Sequence, residues 1–227
     1  MEEALYSKYG FFNNEKVRSK KSGDFLTSPE VSEYFGKILN QWIQKNNLNF
    51  NIVEFGSGTG SLIEQINTKN KFAVELSSTA RVELSKKNIQ NVASLEDLTF
   101  KESDLVFGNE VLDNIPCSVA VFKDNKWHEK VVNLENEIFS YDFVKARKEV
   151  IDWIEINQLK GDENIDIEVQ TNIDKFLENI IHNLNPKTIL FFDYGFEQKD
   201  RAKRKYRSLL RTYKDHHLSV DPILEPG

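Results

Sequence analysis

Two short stretches constrain this chain more than any other feature. They are Ile52-Val53-Glu54-Phe55-Gly56-Ser57-Gly58-Thr59-Gly60 and Phe72-Ala73-Val74-Glu75-Leu76. Each opens as a continuous apolar run, the pattern of a strand buried on both faces, and each ends on a carboxylate. The first then breaks into a glycine-rich turn, where the missing Cβ atoms let the backbone adopt positive φ and let a ligand approach closely. Glu54 and Glu75 lie 21 residues apart, close to the roughly 20 expected when the second acid grips a ribose in a βαβ unit.

The glycine spacing narrows the ligand. A dinucleotide fold carries G-x-G-x-x-G and sets a pyrophosphate on a helix N-terminus. This chain carries G-x-G-x-G, with Glu54 two residues before the first glycine. A carboxylate there repels a pyrophosphate but suits a ligand bearing an ammonium and a sulfonium, as S-adenosylmethionine (SAM) does. On this reading Glu54 faces the methionine amine and Glu75 accepts from the ribose hydroxyls. Gly56, Ser57, Gly58 and Gly60 form the turn between them, and Leu76 follows the second acid. The competing reading is a tight turn with no ligand.

At 227 residues the chain can bury one sizeable α/β core. A net charge of −6 argues against broad nucleic-acid or membrane binding. Cys117, the single cysteine, excludes an intramolecular disulfide and reads as a buried small residue beside Pro116. No run approaches the 18 or so apolar residues of a membrane span. The acidic N-terminus lacks an apolar signal core, so a cytoplasmic location is expected. His216 and His217 are adjacent and lack the i, i+4 spacing that sets two ligands on one helical face, so no metal site is assigned.

Alternation of strand and helix predicts a doubly wound, mostly parallel sheet. A helix behind Thr27-Ser28-Pro29-Glu30, capped at Thr27 or Ser28, carries Val31, Tyr34, Phe35, Ile38, Leu39, Trp42 and Ile43 as a core stripe. The strand at about 50–55 leads to a helix near 61–68. A strand near 71–76, a helix near 79–88, a short strand near 91–95 and a strand over 103–109 follow, and 188–193 makes a fifth, buried strand. Between them the pattern lapses. Residues 119–122 and 127–132 read as a β-hairpin turning at Asp124-Asn125. Residues 142–158 read as a helix with Phe143, Ala146, Val150, Trp153 and Ile154 on one side, and another helix runs over about 171–184. The organisation expected is a lead-in with a capped helix (1–49), a SAM-binding half (50–118), an inserted substrate or cap segment over the cleft (119–185), and a last strand, helix and C-terminal region (186–227).

Asn109-Glu110-Val111-Leu112-Asp113 follows the fourth strand, where an open α/β sheet faces its ligand. Asn109, Glu110 and Asp113 could orient a nucleophilic nitrogen and hold its positive charge while it attacks a methyl group. Methyl transfer is an in-line displacement, so alignment and a matched field are most of what a protein supplies. Glu110 and Asp113, three apart, would share a helical face, although Asp113 could equally cap or solvate a helix start. Gly23-Asp24-Phe25-Leu26-Thr27-Ser28 reads either as a turn closing over the cofactor or as an ordinary turn. Asp193 and Tyr194 are expected at the cleft rim or as a solvated strand terminus. The basic run from Arg201 to Arg211 reads as a solvated helix.

Together these residues resemble the MidA-type family of SAM-dependent methyltransferases, which includes the mitochondrial protein-arginine methyltransferase that assists assembly of respiratory complex I. The resemblance rests on Gly23-Asp-Phe-Leu-Thr-Ser-Pro-Glu-Val-Ser32 with Phe35-Gly36, Val53-Glu-Phe-Gly-Ser-Gly-Thr-Gly60 and Val74-Glu-Leu-Ser77. It continues through Asn109-Glu-Val-Leu-Asp-Asn-Ile-Pro116, Asp193-Tyr-Gly195, Leu210-Arg-Thr-Tyr213, Asp221-Pro222 and Pro226-Gly227. The Leu-Arg-Thr-Tyr and Leu-Asp-Asn-Ile-Pro forms are most similar to actinobacterial members. It implies a class I methyltransferase fold with an insertion, SAM as cofactor, and a protein arginine as acceptor. Glu54, Gly56, Gly58 and Glu75 then become the cofactor site, Asn109, Glu110 and Asp113 the acceptor cluster, and Asp24, Thr27 and Ser28 a lid. Family members continue past the equivalent of Pro226-Gly227 into the last two strands of the sheet. The chain is therefore expected to be a fragment whose fifth strand has an open apolar edge. Two other readings stay open: methylation of a different nitrogen, and a non-catalytic assembly or chaperone-like module of the same fold.

Overall fold

Ile52-Val53-Glu54-Phe55 and Leu105-Val106-Phe107-Gly108 are apolar on both faces of a strand and so can settle only between two layers. The computed structural model describes residues 1–13, 32–162, 165–195, 197, 210, 212–214, 217–219 and 222–223. In it these runs form β1 (Ile52–Phe55) and β4 (Leu105–Asn109) at the middle of a five-stranded parallel sheet. With β2 (Lys71–Val74), β3 (Gln90–Val92) and β9 (Thr188–Phe192), the order is β3-β2-β1-β4-β9. The chain winds outward from β1 to β3 and then returns to lay β4 beside β1, so the topological switch lies between β1 and β4. Val53 pairs with Val106 and Phe55 with Gly108, which brings the turn after β1 beside the turn after β4.

The two faces carry separate cores. Ile52, Leu105 and Phe107 pack against Leu39 and Ile43 of helix α2 (Glu33–Lys45). Val53, Phe55 and Val106 pack against Ile180 and Leu184 of helix α5 (Ile173–Leu184). At the amino end of the sheet, Asp104 accepts from the N–H groups of Asn49 and Phe50 at 2.8 and 2.9 Å. It also pairs with Lys187 at 2.6 Å, which ties the starts of β1, β4 and β9 together.

Several expectations need correction. The Ser32 hydroxyl caps α2 by accepting from Tyr34 N–H, while Thr27, Ser28 and Val31 lie outside the described residues. Tyr34 and Ile38 are exposed rather than core, because only the Leu39 and Ile43 side of α2 meets the sheet. The helix expected near 61–68 is a single 3-10 turn, Ile63–Gln65. Ten residues separate Gly60 from β2, and the polar Asn67-Thr68-Lys69-Asn70 takes up the remainder. Strand β9 is half-buried along its length, since among the described strands it pairs only with β4. Cys117 is half-buried, and burial followed by the nearby Glu168 pushes its thiol up to about 11.

Helix α3 (Ser78–Lys86) links β2 to β3 and packs Leu84 on Ile63, Ala73 and Ile89. Between β4 and β9 lies a four-stranded antiparallel sheet, β7-β6-β5-β8. Its strands are β5 (Ser118–Lys123), β6 (Lys126–Glu135), β7 (Ile138–Lys145) and β8 (Asp166–Val169). The β5–β6 hairpin turns at Asp124-Asn125, both at positive φ, as a two-residue hairpin turn requires. Asn136-Glu137, also at positive φ, makes a second such turn. Residues 142–158 therefore do not form one helix. Phe143 is exposed on β7, while helix α4 (Lys148–Ile156) buries Val150 and Ile154 against Ala120, Ala146, Ile167 and Val169, with Ile151 and Trp153 half-buried against the same cluster. Helix α1 (Glu2–Tyr6) and a small ribbon of β10 (Thr212–Lys214) and β11 (His217–Ser219) complete the described α-helices and strands. No described helix is long and apolar enough to cross a membrane.

Candidate functional site

The carboxyl ends of β1, β2, β4 and β9 gather five acids. Glu54 is 3% exposed, and its Oε2 has no hydrogen-bond partner among the described residues. Burial pushes its carboxyl up to about 8, against the opposing pull of the Ser57 hydroxyl and the Ile63 N–H. An acid in this state is costly unless something cationic meets it.

Above it, Gly56, Gly58 and Gly60 hold φ of 61°, 52° and 81°, which explains a glycine at every second position. Packing adds a second reason at two of them. A Cβ on Gly56 would stand 2.9 Å from Val111 Cγ2, and one on Gly60 would stand 2.7 Å from Leu84 Cδ2. Ser57 turns its hydroxyl inward and donates to the Glu54 carbonyl at 3.2 Å. Thr59 buries a hydroxyl with no described partner.

Glu75 reaches across to this turn. Its Oε2 accepts from Gly58 N–H and its Oε1 from Ser77 N–H, both at 2.8 Å. Burial raises its pKa, and those two N–H groups and Arg81 oppose the rise. Each oxygen retains a lone pair for a hydroxyl donor. Leu76 is exposed at the end of the same strand. The two acids of the sequence motif thus lie at one turn.

The second cluster is built differently from its sequence expectation. Glu110 sits at φ 55°, an uncommon place for a residue with a Cβ, and a 3-10 turn, Leu112–Asn114, follows. Glu110 and Asp113 therefore do not share a helical face. Asn114 joins them instead, donating to the Glu110 carbonyl at 3.1 Å and to Asp113 Oδ1 at 2.8 Å. Asn109 donates to Glu110 Oε1 at 3.0 Å. Asp113 keeps solvent contact at the rim, yet its carboxyl is pushed up to about 6 by burial, then by Asp193 and Glu110.

Two contributors escaped the sequence. Asp193, expected only at the rim, accepts through Oδ2 from Leu112 and Asp113 N–H at 2.8 and 3.1 Å. It clasps the end of β9 onto the loop after β4. Tyr6 donates to the Asn114 carbonyl at 2.8 Å. Burial, then Glu75 and then Asp113, holds its hydroxyl protonated well above the ordinary range. One side chain therefore senses both clusters. No local signal marks Tyr6, because its partner lies 108 residues away. Asp24, Thr27 and Ser28 lie outside the described residues. Among the described residues, no group of three or more His, Cys, Asp or Glu is placed to hold a metal ion.

Comparison with known proteins agrees with this geometry. Residues 34–227 match the family described as "Putative S-adenosyl-L-methionine-dependent methyltransferase". The chain is 24% identical over 268 residues to the mitochondrial protein arginine methyltransferase NDUFAF7 homolog of Drosophila melanogaster, covering 96% of this chain and 59% of that protein. It is 26% identical to the Caenorhabditis elegans homolog, over 59% of this chain and 40% of that one. A Burkholderia thailandensis protein crystallised with S-adenosyl-homocysteine superposes with a TM-score of 0.84 at 21% identity, covering 100% of this chain and 65% of that one. A native crystal structure from the same organism gives 0.76 at 22%, covering 98% of this chain and 63% of that one. These two likenesses establish the fold. The chain spans 59% of the length of the fly relative. It belongs to this family of SAM-dependent methyltransferases.

Proposed function

We propose that the chain binds SAM at the carboxyl end of β1 and β2 and serves N-methylation of arginine in a protein acceptor. One observation carries the reading: the acids of the cleft are collected at one end of the sheet, and both ligands it would take are cationic. The residues fit the cofactor. Glu54 offers a buried oxygen without a partner among the described residues, suited to the methionine ammonium, and Glu75, held by Gly58 N–H, is suited to the ribose hydroxyls. When bound, SAM would supply an electrophilic methyl group.

The chain's own residues do the rest. Glu110 accepts guanidinium N–H bonds, with Asn109 fixing its Oε1. Asp113, poised near 6, can take the proton that the guanidinium nitrogen releases as it gains the methyl group. Asp193 holds the backbone that sets both carboxylates. The names of the fly and worm relatives support a protein arginine as acceptor.

Calorimetric titration with SAM and with S-adenosyl-homocysteine, with NADH as control, tests the cofactor half. Micromolar binding that Glu75→Ala abolishes is the expected result. Transfer of labelled methyl from SAM to arginine-containing peptides, read by amino-acid analysis, tests the acceptor half. Glu110→Gln should keep SAM affinity within about twofold and lower transfer by two to four orders of magnitude, about 10²–10⁴. Undiminished transfer in that variant overturns the acceptor assignment.

A further inference from the structure

Helix α1 meets the segment between β4 and β5 at both of its ends. The Tyr6 hydroxyl donates to the Asn114 carbonyl at 2.8 Å, and the Met1 sulfur stands 4.0 Å from the Cys117 sulfur. Leu5 is the buried residue of the helix, so apolar packing seats α1 without help from the hydroxyl. The Tyr6 ring stacks on Phe12 with centroids 5.6 Å apart, and Phe12 meets Phe11 edge-on at 5.1 Å. Gly10 lets the chain turn back for that contact. Its N–H donates to the Ser7 carbonyl at 2.8 Å, and a Cβ there would stand 2.7 Å from the Leu5 carbonyl. Ring and hydroxyl therefore have separate tasks: the ring packs within its own segment, and the hydroxyl reaches a partner 108 residues away.

The residue that Tyr6 grips is the one that organises the acids. The Asn114 amide donates to the Glu110 carbonyl at 3.1 Å and to Asp113 Oδ1 at 2.8 Å, and Asn114 N–H donates to the Val111 carbonyl at 3.2 Å. Glu110 needs such restraint, because its φ of 55° is one that a residue with a Cβ seldom keeps unaided. Asp193 restrains the same loop through the N–H groups of Leu112 and Asp113, whereas Tyr6 restrains it through a carbonyl. That carbonyl needs a donor at every working pH. Burial, then Glu75 and then Asp113 keep the Tyr6 hydroxyl protonated, so it remains one.

We propose that Tyr6 is a positioning residue for the acceptor cluster: by capturing the Asn114 carbonyl it fixes the amide that holds the Glu110 backbone and aims the Asp113 carboxylate. This role rests on the proposed function of Asp113 as the group that takes the guanidinium proton. Asp113 is faced by Asp193 at the end of β9, by Glu110 on its own loop and by Tyr6 of α1. Burial, then Asp193 and Glu110, raises its pKa, and the N–H groups of Asp113 and Asn114 oppose the rise. The Asn114 amide adds a further donor to the charged form, and a carboxylate that loses such a donor titrates at higher pH. Without the Tyr6 hydroxyl the Asn114 peptide turns more freely and its amide leaves Oδ1. Asp113 then holds its own proton to higher pH and is less often ready to accept another.

Carbon-detected NMR titration of the Asp113 carboxyl in the ligand-free 227-residue chain, read beside methyl transfer, tests this. The wild-type midpoint should lie near 6. Tyr6→Phe keeps the ring and its stacking, so far-UV circular dichroism should match wild type while the Asp113 midpoint rises by about half a pH unit or more. Adding Tyr6→Phe to Asn114→Ala should move the midpoint no further than Asn114→Ala alone, as expected of two residues on one route. In transfer assays Tyr6→Phe should lower kcat by about tenfold and displace the acid limb of the kcat profile upward, while KM for SAM holds within about twofold. A tyrosine that only supports the fold would leave that limb in place. An Asp113 midpoint unmoved by Tyr6→Phe, or moved equally with and without the Asn114 amide, overturns the proposal. A midpoint that moves as expected in a chain that transfers no methyl group to arginine supports the positioning and overturns the acceptor reading instead.

Discussion

Two sheets in one chain treat buried charge in opposite ways. In the parallel sheet Glu54 is buried with one oxygen unmatched among the described residues, and its carboxyl rises to about 8. In the antiparallel sheet Glu129 is equally enclosed but meets Arg147. The Arg147 guanidinium approaches its two oxygens at 2.8–3.1 Å, and the Arg147 backbone N–H adds a bond at 2.7 Å. Against the cost of burial, those bonds hold Glu129 below the usual range. The difference separates an acid matched by a cation within the fold from one with no such partner among the described residues. It runs through the surrounding layers as well. The parallel sheet is covered on both faces, whereas the antiparallel sheet packs one face on α4 and leaves the aromatic half of the other exposed.

The largest test of this contrast is a pair of truncations. Phe107 is fully buried in the parallel sheet, so Phe107→Ala should cost about 3–5 kcal/mol in urea unfolding. Phe139→Ala, measured in dilute solution, should stay within about 0.5 kcal/mol. Equal losses would show that the exposed ribbon is covered after all.

A second pair sharpens the comparison of acids. In the folded chain Glu54 keeps its proton to about pH 8, whereas its ordinary value is 4.5. The unfolded chain therefore binds fewer protons between those values, and this group's contribution to stability falls as pH rises across the window. Glu54→Gln removes that slope and should stabilise the ligand-free protein at pH 8 by on the order of 4 kcal/mol, while weakening SAM binding. Glu129→Gln should instead destabilise the protein near neutral pH, by about 1–2 kcal/mol. The depressed pKa of Glu129 means its contribution is lost as pH falls through the folded value. Thermal melts from pH 5 to about 8.5 would check both signs. Stabilisation by Glu129→Gln, or none by Glu54→Gln, would remove the distinction.

The smallest effect concerns the clasp. Asp193→Ala leaves two N–H groups without their acceptor and should cost about 1–2 kcal/mol. Methyl transfer should fall while SAM affinity holds, because the loop at the end of β4 loses its anchor and the turn after β1 does not. A parallel drop in SAM affinity would show that the two clusters are one unit.

How legible each region was follows from how local its determinants are. The strand, acid and glycine turn at 52–60, the second acid at Glu75 and the Asp124-Asn125 hairpin all depend on neighbours within a few residues, and all could be read directly. The last residues of β7, 142–145, read as helix because Phe143, Ala146, Val150, Trp153 and Ile154 fit a helical repeat, although the Asn136-Glu137 turn before them sets a hairpin. Tyr34 and Ile38 fit the apolar stripe of α2 equally well, and only the angle at which that helix meets the sheet excludes them. Asp193 and Tyr6 act through backbone atoms 81 and 108 residues away, which no spacing in the chain encodes.

The sequence by itself determined the parallel sheet, the site's place at its carboxyl end, and the pair of acids flanking a glycine turn. Continuous apolar runs settle between two layers, and three closely spaced glycines suit a turn that holds positive φ at each of them. Tertiary structure alone decided which acid is satisfied and which is left waiting. It also decided which face of the second sheet is covered and which distant residues hold the loop after β4. Those outcomes depend on desolvation and on partners far apart along the chain, and desolvation exists only once the layers have come together.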